Sequence, residues 1–286
     1  MSAAAAGDEA SARRRRPRAL TAYRWELRKL RAQKRTYIGL GAAVLVPCIF
    51  VVALMVEAGG PDEVPFGRYV RETGLAIPLI LLIFGSIWLF PLITALVAGD
   101  IFATEDNHGT LKTILTRSVD RGQIFTAKLL AAFTYAFVAL CLFAGTALLL
   151  GGLRFGFDPL TTLSGTTVSS SRGLTLIAAS LGVYLLPTLA VASLALLLSI
   201  ASRNSAAAVV GTLMFSLILQ LIGIISGLDF LRPYLLSTQF NAWQGLLREP
   251  IDWAPIVRAA WVCACYGVPA LLAGWIVFTR RDVAGG

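Results

Sequence analysis

The sequence predicts an all-α membrane protein of six transmembrane helices. An amphipathic interfacial helix leads in, a short cytoplasmic helix lies between spans two and three, and short re-entrant or interfacial helices lie between spans five and six. Three observations carry this. Of the 286 residues, 57 % are apolar and 14 % charged, with a mean hydropathy of +0.74, against roughly 45–50 % and 25 % in soluble domains. The apolar residues gather into six uncharged blocks, each long enough at ~1.5 Å per residue to cross one bilayer core. The basic residues crowd one end, with eleven of the 25 Lys and Arg between Arg13 and Arg35. A soluble enzyme is excluded. A nucleic-acid binder would spread its basic residues over a folded surface, so nucleic acid is not an expected partner.

Residues 1–17 hold too little apolar content to fold and read as a disordered basic tail. They are not a cleavable signal, because no apolar stretch directly follows the positive one. Over residues 18–35, Leu20, Tyr23, Leu27 and Leu30 recur at helical spacing, with Arg24, Arg28, Arg31 and Arg35 on the adjoining face. That is an amphipathic helix with a basic flank, expected to lie in the inner membrane interface.

The membrane domain, residues 36–279, holds the six blocks Thr36–Val56, Leu75–Ala98, Leu129–Gly152, Gly173–Ser202, Ala206–Gly227 and Ala259–Thr279. Backbone groups in hydrocarbon must be satisfied internally, and runs apolar on every face do this as helices. Pro78, Pro91 and Pro187 predict kinks in their spans. With the N-terminus inside, eighteen Lys and Arg fall on inner segments and seven on outer ones, so both termini, including the tail at 280–286, are expected in the cytoplasm. The outer segment Leu228–Arg258 is half apolar but broken by Pro233 and Pro250. It reads either as interfacial or re-entrant helices or as a loop with an aromatic belt.

None of the six blocks contains a charged residue, which disfavours an ion-coupled carrier, since such carriers retain costly intramembrane charges. Gln220 is the strongest polar group within a span. Gly223 and Gly227 form a GxxxG pattern suited to close helix packing. No Lys follows a Gly, so the phosphate-cradling loop is absent and any ATP would be bound by another chain. A buried nucleophile needs a base within reach, and the single histidine, His108, belongs to an inner loop. No catalytic residue and no metal site is therefore expected. Cys48, Cys141, Cys263 and Cys265 sit in apolar blocks and read as inert packing.

The inner loop from Gly99 to Gln123 holds the second amphipathic element. Thr110 can cap a short helix in which Leu111, Ile114 and Leu115 form one apolar face. Asp120 then caps the third span, with Gln123 placed to complete a capping box. On physical grounds such a hairpin either passes force to a docked cytoplasmic partner or lies on the headgroups. The run Glu105, Gly109-Thr110-Leu111, Leu115-Thr116-Arg117, Arg121 and Ala127-Lys128-Leu129, with the closing Phe278-Thr279-Arg280-Arg281-Asp282, resembles the signature of type-2 ABC exporter permeases. Ser118 stands where that family usually has Pro.

The resemblance implies that the short inner helix is a coupling helix seated in a cytoplasmic ATPase subunit. Glu105, Gly109, Thr110, Leu111, Ile114, Leu115, Arg117 and Arg121 would form this contact, and Tyr23, Arg24, Leu27, Arg28 and Leu30 of the entry helix would contribute to it. It implies a second permease copy or a similar permease, with ATP and Mg on the partner ATPase and no cofactor on this chain. The expected site is the bacterial cytoplasmic membrane, with the path formed by the pair and Gln220, Gly223 and Gly227 serving the path or helix packing. A self-contained channel and a membrane anchor that recruits a cytoplasmic protein are the alternatives.

Overall fold

The computed structural model describes residues 19–56, 63–107 and 120–280. The tail at 1–17 and the expected coupling helix at 109–117 lie outside the described residues. Helix α1 (Ala19–Ala32) breaks at Gln33 and is followed by α2 (Lys34–Val56), α3 (Ala76–Gly85), α4 (Leu89–Ala98) and the short α5 (Ala103–Asn107). Then come α6 (Arg121–Phe155), α7 (Ser170–Ser202), α8 (Ser205–Ile224), the single turn α9 (Leu236–Gln239) and α10 (Ala254–Arg280). A two-residue hairpin, β1 (Leu160–Thr161) with β2 (Thr167–Val168), joins α6 to α7. Five helices are long and apolar enough to cross a membrane, and the bent pair α3 and α4 makes a sixth if counted as one span.

These helices form because their sequences offer a bilayer nothing but apolar surface and an internally satisfied backbone. Their outward faces carry exposed Ile49, Val52, Phe137, Leu149, Val210, Ile218, Leu221, Leu272 and Ile276. In water such a surface would drive aggregation; in lipid it is at home. Helix α7 is the centre of the bundle, packing on α10, α8, α4 and α6. An edge-to-face aromatic chain threads the core: Phe90 meets Phe143 at 5.0 Å and Tyr184 at 5.1 Å, and Tyr184 meets Phe240 at 5.0 Å. The outer segment expected to be half-buried supplies that last ring. Its Leu236, Phe240, Trp243 and Leu247 are buried, and its short helices cover the ends of α7, α8 and α10.

The structure corrects several expectations. The block expected as the second span is not one helix but two, bent by 64°. Pro78 causes no kink, because it sits in the first turn of α3, where its missing N–H has no partner to lose. Pro91 lies in the first turn after the break. Helix α6 starts at Arg121 rather than near Leu129 and runs 35 residues, ~50 Å, well beyond a ~30 Å hydrocarbon core. Asp120 takes the N-cap position, but the capping box is not made: Gln123 donates its backbone N–H to the Asp120 carbonyl, and its buried Oε1 has no hydrogen-bond partner among the described residues. Helix α8 ends at Ile224 and Gly227 follows in a turn with φ +105°. Gly223 and Gly227 therefore share no helical face, and Gly223 packs near Leu235 of the same chain.

Candidate functional site

The end of the bundle that holds α1 and α5 is built around charge. On α1, Glu26 and Leu30 are buried and Tyr23 and Leu27 partly so, all on the face packed against α6, while Arg24, Arg28 and Arg31 are exposed. The predicted stripe is thus packed on protein. Its first member, Leu20, falls outside that face and is exposed. Tyr23 shares a 2.7 Å hydroxyl–hydroxyl hydrogen bond with Thr134 of α6.

Between α1, α5 and α6 lie two carboxylates and two ammonium groups. Lys128, only 1 % exposed, places Nζ 2.8 Å from Glu105 Oε1 and 3.2 Å from Glu26 Oε2. It also donates to the Ile101 carbonyl at 2.9 Å and lies over the Phe102 ring. Lys29 Nζ closes the cluster, 2.6 Å from Glu105 Oε1 and 3.0 Å from Glu26 Oε1. The cluster is neutral, as burial of charge demands. Burial alone would push the Glu105 carboxyl up, but the Lys128 and Lys29 ammonium groups outweigh it and hold the pKa below the ordinary value. Burial pulls Lys29 down, yet Glu105 and Glu26 leave it raised.

The chain leading to Glu105 is pinned at each step. Asp100, 1 % exposed, pairs with Arg35 at the start of α2 and accepts from Thr104. Ser199 of α7 accepts from the backbone N–H groups of Phe102 and Ala103, at 3.3 and 3.1 Å. On the far side of the stretch 108–119, Arg121 donates to the Thr279 carbonyl in the last turn of α10 at 2.5 Å, where a cation also meets the negative helix end. Beneath both anchors, Phe102, Phe125, Trp275 and Phe278 form an aromatic cluster with ring centroids 5.2–6.1 Å apart.

Of the residues singled out from sequence, Glu105, Arg121, Tyr23, Leu27 and Leu30 thus come to this charged end of the bundle. Gly109, Thr110, Leu111, Ile114, Leu115 and Arg117 lie outside the described residues, as does His108. Gln220 lies elsewhere, at the break between α3 and α4. Glu26, Lys29, Lys128, Asp100 and Arg35 were not foreseen as a site. The available signal was Glu26, a lone acid on the apolar face of a basic helix, and Lys128, a lone cation bordering an apolar block. Among the described residues no three His, Cys, Asp or Glu side chains converge as metal ligands.

The family model described as "Protein of unknown function (DUF2705)" matches residues 44–284, and the chain belongs to that family. No curated protein matches the chain.

Proposed function

We propose that this DUF2705 member is the membrane-spanning permease subunit of an ATP-binding-cassette exporter. It has six spans, both termini in the cytoplasm of a bacterial cell and a second permease as partner, and it is driven by a separate ATPase subunit that binds ATP and Mg. The carrying observation is the anchoring of the chain on both sides of 108–119, at Glu105 and at Arg121. A load on that segment enters through Glu105 into α1 and α6, and through Arg121 into the end of α10. Asp100 with Arg35 adds α2, and Ser199 adds α7. Closely packed helices transmit such a load rather than absorb it. The coupling helix of this reading is 109–117, with Leu111, Ile114 and Leu115 as the knob the ATPase grips. In this reading the chain catalyses nothing; its residues receive and distribute force.

The test has two arms. The tagged chain, purified from its native cell in mild detergent, should carry a stoichiometric protein with a phosphate-binding loop, and Leu111→Asp with Leu115→Asp should release it. Co-reconstituted in liposomes, the pair should move cargo only with ATP. Uphill transport by the chain alone overturns the reading. So does labelling of a Thr113→Cys variant by a membrane-impermeant maleimide applied outside intact cells.

A further inference from the structure

The second span breaks between Gly85 and Leu89, and the backbone there departs from the helical ladder for a definable reason. In an unbroken helix the Ile87 carbonyl would accept from the N–H of residue 91, but residue 91 is proline and has none. The bend of 64° also takes the Ser86 carbonyl out of the ladder. Within a bilayer core a carbonyl freed in this way is costly unless another donor reaches it. Gln220, one helix away on α8, supplies the missing donors: its Nε2 lies 3.1 Å from the Ser86 carbonyl and 3.0 Å from the Ile87 carbonyl. One amide group thus serves both freed acceptors.

We infer that Gln220 is a positioning residue that clamps a hinge in the second span, its side-chain amide standing in for the backbone donor that Pro91 lacks. The clamp is a side chain from another helix that ties the break residues to α8, on which the following half, α4, also packs, so the bend can change when α8 and α4 move relative to α3. A small cleft lined by Ser86, Pro91, Ser216, Gln220, Ser237 and Phe240 lies beside the break. The inner half of the span runs directly into Asp100 and Glu105, so whatever moves the inner anchors acts on this hinge. The inference does not depend on the exporter reading, and its test uses no transport measurement.

The test is a double-mutant cycle on the full chain in detergent or nanodiscs, read by hydrogen–deuterium exchange of the 84–92 backbone and by thermal unfolding. Gln220→Leu should speed exchange of that segment by about fivefold or more and lower Tm by about 3–6 °C. Pro91→Ala restores an N–H for the Ile87 carbonyl, so in that background Gln220→Leu should have less than half of its effect on exchange. Tyr184→Phe removes a buried hydroxyl near Gly85 that has no hydrogen-bond partner among the described residues, and it should leave exchange unchanged. The assignment is overturned if the effects of Pro91→Ala and Gln220→Leu simply add, if Gln220→Leu leaves exchange at the wild-type rate, or if Tyr184→Phe loosens the segment as much. Should Gln220→Leu fail to fold, the proposal requires that Pro91→Ala with Gln220→Leu fold; failure of both overturns it.

Discussion

Lys128 is a cation with 1 % of its surface exposed, held by Glu26, Glu105 and the Ile101 carbonyl. Removing one member of such a group strands the opposite charge in a dry site, at ~3–5 kcal/mol. Lys128→Met should therefore cost about that much in detergent unfolding, whereas Lys128→Met with Glu105→Gln, which restores neutrality, should recover a large part of it. If the double variant is as unstable as the sum of the single ones, the charge account fails. The pH dependence follows from the same contacts. Glu105 has its pKa lowered by its partners, so its contribution is present above the ordinary carboxyl value of 4.5 and is lost as pH falls through the lower folded value. Lys29 is raised from 10.5, so its contribution is present below that value and is lost as pH rises through the higher folded one. The stability difference between wild type and Glu105→Gln should be level between these limits and shrink on acidification below 4.5. A difference that shrinks near neutrality contradicts the assignment.

At the level of elements, the apolar blocks were legible because a bilayer imposes one strong requirement on length and charge, and the six blocks coincide with the long helices and the bent pair. What stayed hidden depends on partners distant in sequence. Nothing local says that α1 lies on α6 by its Glu26 face, since the periodicity of Leu and Tyr fits lipid equally well. Nothing local to Pro91 says that the span breaks three residues earlier and is made good by Gln220. Another such contact is the backbone approach of the segment just before α3 to α6. A Cβ on Gly74 would fall 2.2 Å from the Gly151 carbonyl carbon, and one on Gly151 would fall 2.7 Å from the Gly74 oxygen. The opposing atoms are backbone and cannot turn aside. Gly151→Ala should thus cost ~1–3 kcal/mol through forced displacement. Gly145→Ala on the same helix meets nothing within 4 Å and should be neutral or stabilising by up to ~1 kcal/mol. Equal effects at the two positions, measured by thermal unfolding in one detergent, argue against the close backbone approach.

For the whole molecule the deciding question is what covers the apolar exterior. Helix α8 is the least buried of the long helices, and its Val210, Met214, Ile218 and Leu221 face outward. On a water-soluble protein an exposed position such as Ile218, 53 % accessible, accepts lysine with little change, because surface substitutions away from special contacts fall within about ±0.5 kcal/mol. In hydrocarbon the same ammonium group near a helix centre costs ~2.5–3.5 kcal/mol on insertion scales. Ile218 lies fourteen residues into a 20-residue helix, too far from the end at Ile224 for the charge to escape without cost. Ile218→Lys should accordingly reduce the fraction of chain that resists alkaline extraction from membranes, while Glu72→Lys, at an exposed position before α3, should not. Ile218→Leu, which keeps the surface apolar, should match wild type. A fully extraction-resistant and folded Ile218→Lys variant would mean that another protein surface or water, and not lipid, lies against α8.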